Sequence, residues 1–208
     1  MNEEVQVYYM NFNDAKSFEK SLDHLLTAQQ DRLFIYVASH GYGKRLGNIN
    51  FSRISDIIGN AVEQNKGRRV EGVIFGACEI GGTCNDRSLE MLHWRTNIVW
   101  VLAYRNIMDW MPSTLIDLNF MNSMMQLDVE SLCKRDELIV CAASALTLFN
   151  PVNKIGSSRV AYGNNTSSDI DVKDAIRFLV KPHGRGQVFQ DNSPKLISKA
   201  YLPIEFDE

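Results

Sequence analysis

Gly72-Val73-Ile74-Phe75-Gly76-Ala77-Cys78-Glu79-Ile80-Gly81-Gly82 is the stretch that decides the fold. An apolar run of strand type ends on a cysteine, and two glycines follow almost at once. Continuous apolar runs of this length read as buried parallel strands. In open α/β sheets, ligands and chemistry sit at the carboxyl ends of such strands. Working upstream, Leu33-Phe34-Ile35-Tyr36-Val37-Ala38 is a second apolar strand, and it runs into Ser39-His40-Gly41. The interval leaves room for one crossover helix, which residues 51–66 supply with Ile54, Ile57, Ile58 and Ala61 on one face. Two parallel strands joined by one crossover lie side by side, so His40 and Cys78 are expected at the same sheet edge.

The remaining pattern extends the same plan. Val5–Tyr9 reads as a short strand, followed by a helix over about 14–30 capped by Asn13 or Asp14, with Phe18, Leu22, Leu25 and Leu26 at helical spacing. His24 on that helix reads as a surface residue. The glycine-rich stretch Gly41–Gly47 reads as a turn into a short hairpin; its spacing fits neither a P-loop nor a dinucleotide fingerprint. A helix follows the cysteine at about 86–95, and Asn97–Ala103 is another buried strand. Residues 113–127 read as a helix with Leu115, Leu118, Phe120 and Met121 apolar. Residues 129–149 read as a further helix, broken near Cys133. Arg159–Tyr162 reads as a short strand, 171–180 as a helix, and the tail as short strands near Val188 and Tyr201. Four β–α steps in succession predict an α/β domain with a parallel sheet covered by helices.

The chain has 208 residues, 45% of them hydrophobic and 23% charged, with a formal net charge of −3. That balance gives no overall attraction to nucleic acid or to an anionic membrane. No apolar run approaches the roughly 20 residues of a membrane span, and the acidic Met1-Asn2-Glu3-Glu4 start lacks the basic opening of a secretory signal. Cys78, Cys84, Cys133 and Cys141 form neither a disulfide framework nor a metal spacing. A cytoplasmic setting with no cofactor and no metal is expected.

A cysteine attacks as its thiolate, and a free thiol has a pKa of about 8.5. A neighbouring imidazole takes the proton and can return it to a leaving amine. The developing oxyanion needs fixed donors, for which the backbone N–H groups of Gly41 and Cys78 are placed.

Val37-Ala38-Ser39-His40-Gly41 and Phe75-Gly76-Ala77-Cys78 together resemble the caspase-like cysteine peptidases, a group that includes caspases, metacaspases, legumain, gingipains, separase and bacterial CHAT peptidases. The sequence reads Gly-Ala-Cys-Glu-Ile where caspases read Gln-Ala-Cys-Arg-Gly, and looks closer to the CHAT members. Trp100–Arg105 and Asp109-Trp110-Met111-Pro112-Ser113 are similar to the family's next strand and substrate-lining loop. The resemblance covers residues 5–127, taken as the catalytic core of a single domain spanning 1–208; residues 128–208 match nothing. Only four strands are read where caspases have six, so the chain reads as one β–α unit short or as a reduced version. The resemblance implies a three-layer caspase-like fold, with a mostly parallel sheet of four to six strands flanked by helices, and endopeptidase action through a thioester, with Cys78 as nucleophile, His40 as proton carrier and Gly41 in the oxyanion hole. It places Tyr104, Arg105, Asp109 and Trp110 along the substrate. Asp109 reads either as a partner for a basic P1 side chain or as a helix cap. Glu79 is a second acidic candidate, or a like charge beside the thiolate. Protein or peptide substrate, a regulatory partner or activator, and a role in regulated proteolysis, cell death or antiviral defence follow by resemblance. The competing readings are an inactive binding or scaffold module, and another α/β hydrolase or transferase in which His93 or His183 reaches Cys78.

Overall fold

The computed structural model describes residues 5–65, 69–84, 86–159 and 167–201. The chain enters through helix α1 (Ala15–Leu25), whose first turn is closed by a reciprocal cap: Ser17 N donates to Asp14 Oδ1 at 2.7 Å and Asp14 N to Ser17 Oγ at 3.0 Å. Strand β1 (Arg32–Ala38) follows, then a small three-stranded antiparallel unit of β2 (Gly41–Tyr42), β3 (Arg45–Leu46) and β4 (Ile49–Asn50), and helix α2 (Phe51–Gln64). Strand β5 (Arg69–Gly76) carries the cysteine, the single turn α3 (Ile80–Thr83) comes next, and α4 (Asp86–Thr96) leads to β6 (Trp100–Tyr104). The second half contributes β7 (Ile107–Met108), α5 (Trp110–Met125), a 3₁₀ turn at Ser131–Cys133, α6 (Arg135–Leu146), β8 (Lys154–Ser157), β9 (Asp169–Asp171), the turn α7 (Val172–Ala175), β10 (Ile176–Val180), β11 (Gln190–Asp191) and α8 (Ser193–Tyr201).

The main sheet has the order β1-β5-β6-β10-β11. β1, β5 and β6 are parallel, and β10 and β11 are added antiparallel. Alternation along the strands divides the core in two. Val73, Phe75, Val101, Ala103 and Leu179 pack with α1, α2 and α4, while Ile74, Trp100, Leu102, Tyr104, Ile176, Phe178 and Val180 pack with α5, α6 and α8. The result is an α/β sandwich of three layers with a five-stranded mixed sheet.

Several expectations are corrected. Val5–Tyr9 forms no strand; Val7 and Tyr9 are exposed, and β1 has no neighbour on its outer edge among the described residues. The pattern is right for a strand, but a strand without a ladder leaves its backbone to water. Helix α1 stops at Leu25 rather than continuing to 30. The stretch 171–180 is not a helix: one turn at Val172–Ala175 gives way to β10, an all-buried Ile-Arg-Phe-Leu-Val strand that pairs residue for residue with β6. A short apolar run cannot be told from a helix by periodicity alone. On α5 the buried face is Ile116, Asp117, Phe120 and Met124, leaving Leu115 and Leu118 half exposed; a helix apolar all round gives no preferred face. In the tail, the strand falls at Gln190–Asp191 and Tyr201 ends a helix. The strand expected at Arg159–Tyr162 lies, from residue 160 on, outside the described residues.

Candidate active site

The register of β1 on β5 sets the site. Ala38 is paired with Gly76, so His40 and Cys78 each stand two residues beyond matched positions on adjacent parallel strands, which run about 4.8 Å apart. Ser39 N donates to Gly76 O at 3.3 Å and carries the match past the strand ends. Gly41 then lies directly on the Cys78 peptide: a Cβ built at residue 41 would fall 1.9 Å from Cys78 O and 2.5 Å from Cys78 N. Only glycine permits this approach.

The hairpin after His40 is oriented for the same purpose. Gly47 N donates to His40 O at 2.7 Å, and Gly41 is the next paired position, opposite Leu46. In an antiparallel ladder hydrogen-bonded and non-bonded pairs alternate, so the Gly41 N–H is turned out of the hairpin ladder. The Cys78 N–H has no acceptor among the described residues. Two backbone donors, at Gly41 and Cys78, are thus left without a ladder partner.

Around these groups lies a hollow of about 130 Å³. The exposed His40 and Trp110 line it with Ser39, Cys78, Met108 and Ser113, and the buried Ala77 and Tyr104 form its inner wall. His40 is exposed and Cys78 partly exposed. The Met108 N–H donates to Cys78 Sγ at 3.3 Å, and the Met108 carbonyl is 4.0 Å from the same sulfur. No hydrogen bond joins the His40 ring to Sγ; in substrate-free sites such bonds are often long and tighten when substrate arrives. Burial pushes the thiols of Cys84, which is buried, and Cys141, which is partly buried, up to about 11.

Glu79 does not open into the hollow. Its carboxylate accepts the Gly43 N–H at 2.8 Å and is gripped by Arg159, through Nε at 2.6 Å and again through Nη2. Arg159 also lies over the Tyr42 ring at 3.9 Å. The Arg159 bonds hold the Glu79 carboxyl below its ordinary value; burial opposes them and the Gly43 N–H reinforces them. Glu79 takes a left-handed conformation with φ 67°, a strained state for a non-glycine residue that its surroundings must hold. Its role here is to tie the loop after Cys78 to the loop after His40.

Asp109 is exposed at the start of α5. Its backbone takes part there, N–H to Ile155 O at 2.8 Å and carbonyl to Ser113 N at 3.2 Å, while its side chain makes no cap bond and is not among the groups lining the hollow. Trp110 lines the hollow and is 79% exposed. Tyr104 lines it from inside. Arg105 points elsewhere: it donates to Ile176 O at 3.2 Å, Asp191 at 3.0 Å and Ser193 Oγ at 3.2 Å, bordering a larger hollow of about 460 Å³ that contains neither His40 nor Cys78. His93 is fully buried against Phe189, with burial lowering it to about 4, and His183 lies near Glu71 at the amino end of β5. Neither reaches Cys78, which removes the hydrolase reading that depended on them.

Three residues of this site went unread in the sequence. Met108 acts through its backbone and leaves no side-chain signal. Tyr36 and Asp117 lie behind the inner wall: the Tyr104 hydroxyl donates to Asp117 Oδ1 at 2.7 Å and is 2.9 Å from the Ser113 carbonyl, and the Tyr36 hydroxyl also bonds Asp117. Burial pushes the Asp117 carboxyl up to about 7, against the pull of the two tyrosines. Asp117 is the sole charge in α5, a signal that could have marked it.

No family model matches this chain, and no curated protein or solved structure is significantly similar to it.

Proposed function

We propose that the chain is a caspase-like cysteine endopeptidase using a Cys78–His40 dyad. The observation that carries this reading is the Ala38–Gly76 register, which sets an exposed imidazole and a partly exposed thiol side by side at the carboxyl edge of parallel strands, above a small hollow. Cys78 Sγ attacks the scissile carbonyl carbon, forming a C–S bond, while the oxygen takes the negative charge against the Gly41 and Cys78 N–H groups. His40, carrying the thiol proton, gives it to the departing amine as the C–N bond breaks. Water then attacks the thioester with His40 as base, and the C–S bond breaks to release the acid and restore the thiol.

The thiol's contacts to the Met108 backbone, rather than to His40, fit a resting enzyme that a partner or sensor switches on, as in the regulated proteolysis, cell death or antiviral defence of the family it resembles. They equally favour the second reading, a non-catalytic binding module on the same fold.

Digestion of a peptide library, read by mass spectrometry, separates the two. The wild-type chain is expected to create new termini that Cys78→Ala and His40→Ala both abolish. Full cleavage by His40→Ala would end the dyad assignment, and no cleavage by any form would favour the binding module.

A further inference from the structure

We infer that the hollow beside Cys78 is the P1 subsite of this peptidase and is shaped for a short, uncharged aliphatic side chain such as leucine or methionine. The inference rests on the peptidase reading.

Size is the first argument. A cavity of about 150 Å³ lined by apolar groups holds one benzene molecule; at about 130 Å³, this one accepts a branched four-carbon group or a thioether. A guanidinium on its three-carbon stem, or an indole, exceeds it.

Charge is the second. Apart from His40, no lining residue carries a charge. Each nearby carboxylate is spoken for or outside: Glu79 is held by Arg159 and the Gly43 N–H, Asp109 is exposed and does not line the hollow, and Asp117 is 1% exposed behind Tyr104. The nearby cations are equally engaged, Arg159 with Glu79 and Arg105 with Asp191. A basic or acidic P1 side chain would enter without a counter-ion, and a buried unpaired charge is strongly disfavoured.

The polar lining atoms give the third. Ser113 Oγ donates to the Asp109 carbonyl at 2.9 Å, and the Tyr104 hydroxyl donates to Asp117. These two hydroxyl protons are already committed, so an amide side chain gains no donor from them. Met108 supplies an adaptable apolar wall, and exposed Trp110 and Met111 extend it along α5.

The test uses peptidyl acyloxymethyl ketones identical except at P1, carrying Leu, Met, Phe, Arg or Asp, with the adduct on Cys78 timed by mass spectrometry. Leu and Met are expected to label about ten-fold faster or more than Arg and Asp. Met108→Ala, checked to unfold thermally like wild type, is expected to move the optimum to Phe. An Arg or Asp probe that matches Leu, or an unchanged order in Met108→Ala, would overturn the subsite while leaving the peptidase standing. Failure of every probe, while iodoacetamide still alkylates Cys78, would overturn the peptidase reading and this inference with it.

Discussion

Asp117 shows how much one buried atom group can govern. Its carboxyl is lifted from an ordinary value near 3.8 to about 7, chiefly by burial. Between those pH values the folded chain keeps a proton that the unfolded chain gives up, so stability falls as pH rises from about 4 to about 7 and levels off above. At roughly 1.4 kcal/mol per pKa unit the loss amounts to at most about 4 kcal/mol. Asp117→Asn removes the titration. Urea unfolding at pH 4.5 and pH 8 is expected to show wild type losing stability relative to the variant, and parallel pH curves would mean that Asp117 ionises in the folded state as it does in water. Glu79 has the opposite sign: its depressed carboxyl contributes stability above its ordinary value, lost as acid protonates it and frees Arg159. Cys78, His40 and Gly41 were legible because each stands at a strand end in an apolar run. The second layer was not, since Tyr36 looks like any strand aromatic and Asp117 like any helix carboxylate until topology brings them together.

At the scale of elements, β1, β5, β6, α2 and α4 were readable from local pattern, because buried parallel strands and amphipathic helices carry distinct periods. β10 was not. Its five residues are all buried, and what makes them a strand is the antiparallel ladder offered by β6, from Ile176 opposite Tyr104 to Val180 opposite Trp100. Phe178 lies on this strand with no exposure, edge-to-face with Phe120 at 5.2 Å between ring centroids. Phe178→Ala is expected to cost about 3–5 kcal/mol by opening a cavity between sheet and α5. Denaturant unfolding measures it; a loss under about 1 kcal/mol would mean that the neighbouring helices close the gap.

At the scale of the molecule, the division at residue 127 drawn from motifs does not coincide with a physical boundary. β10, α6 and α8 complete the core around Trp100, Leu102 and Tyr104, and Asp191 holds Arg105 and Arg177 across the far sheet edge. Residues 1–127 alone would leave one face of the sheet largely uncovered. They are expected to show no cooperative thermal transition by circular dichroism, whereas a sharp transition would establish a self-sufficient half. The contact between Gly41 and the Cys78 peptide carries a last consequence. Main chain rests on main chain, so the spacing of the His40 and Cys78 backbones does not depend on two side chains finding each other from many rotamers. In the proposed peptidase, the entropy of bringing them together is surrendered once, when the chain folds, and not again at every turnover.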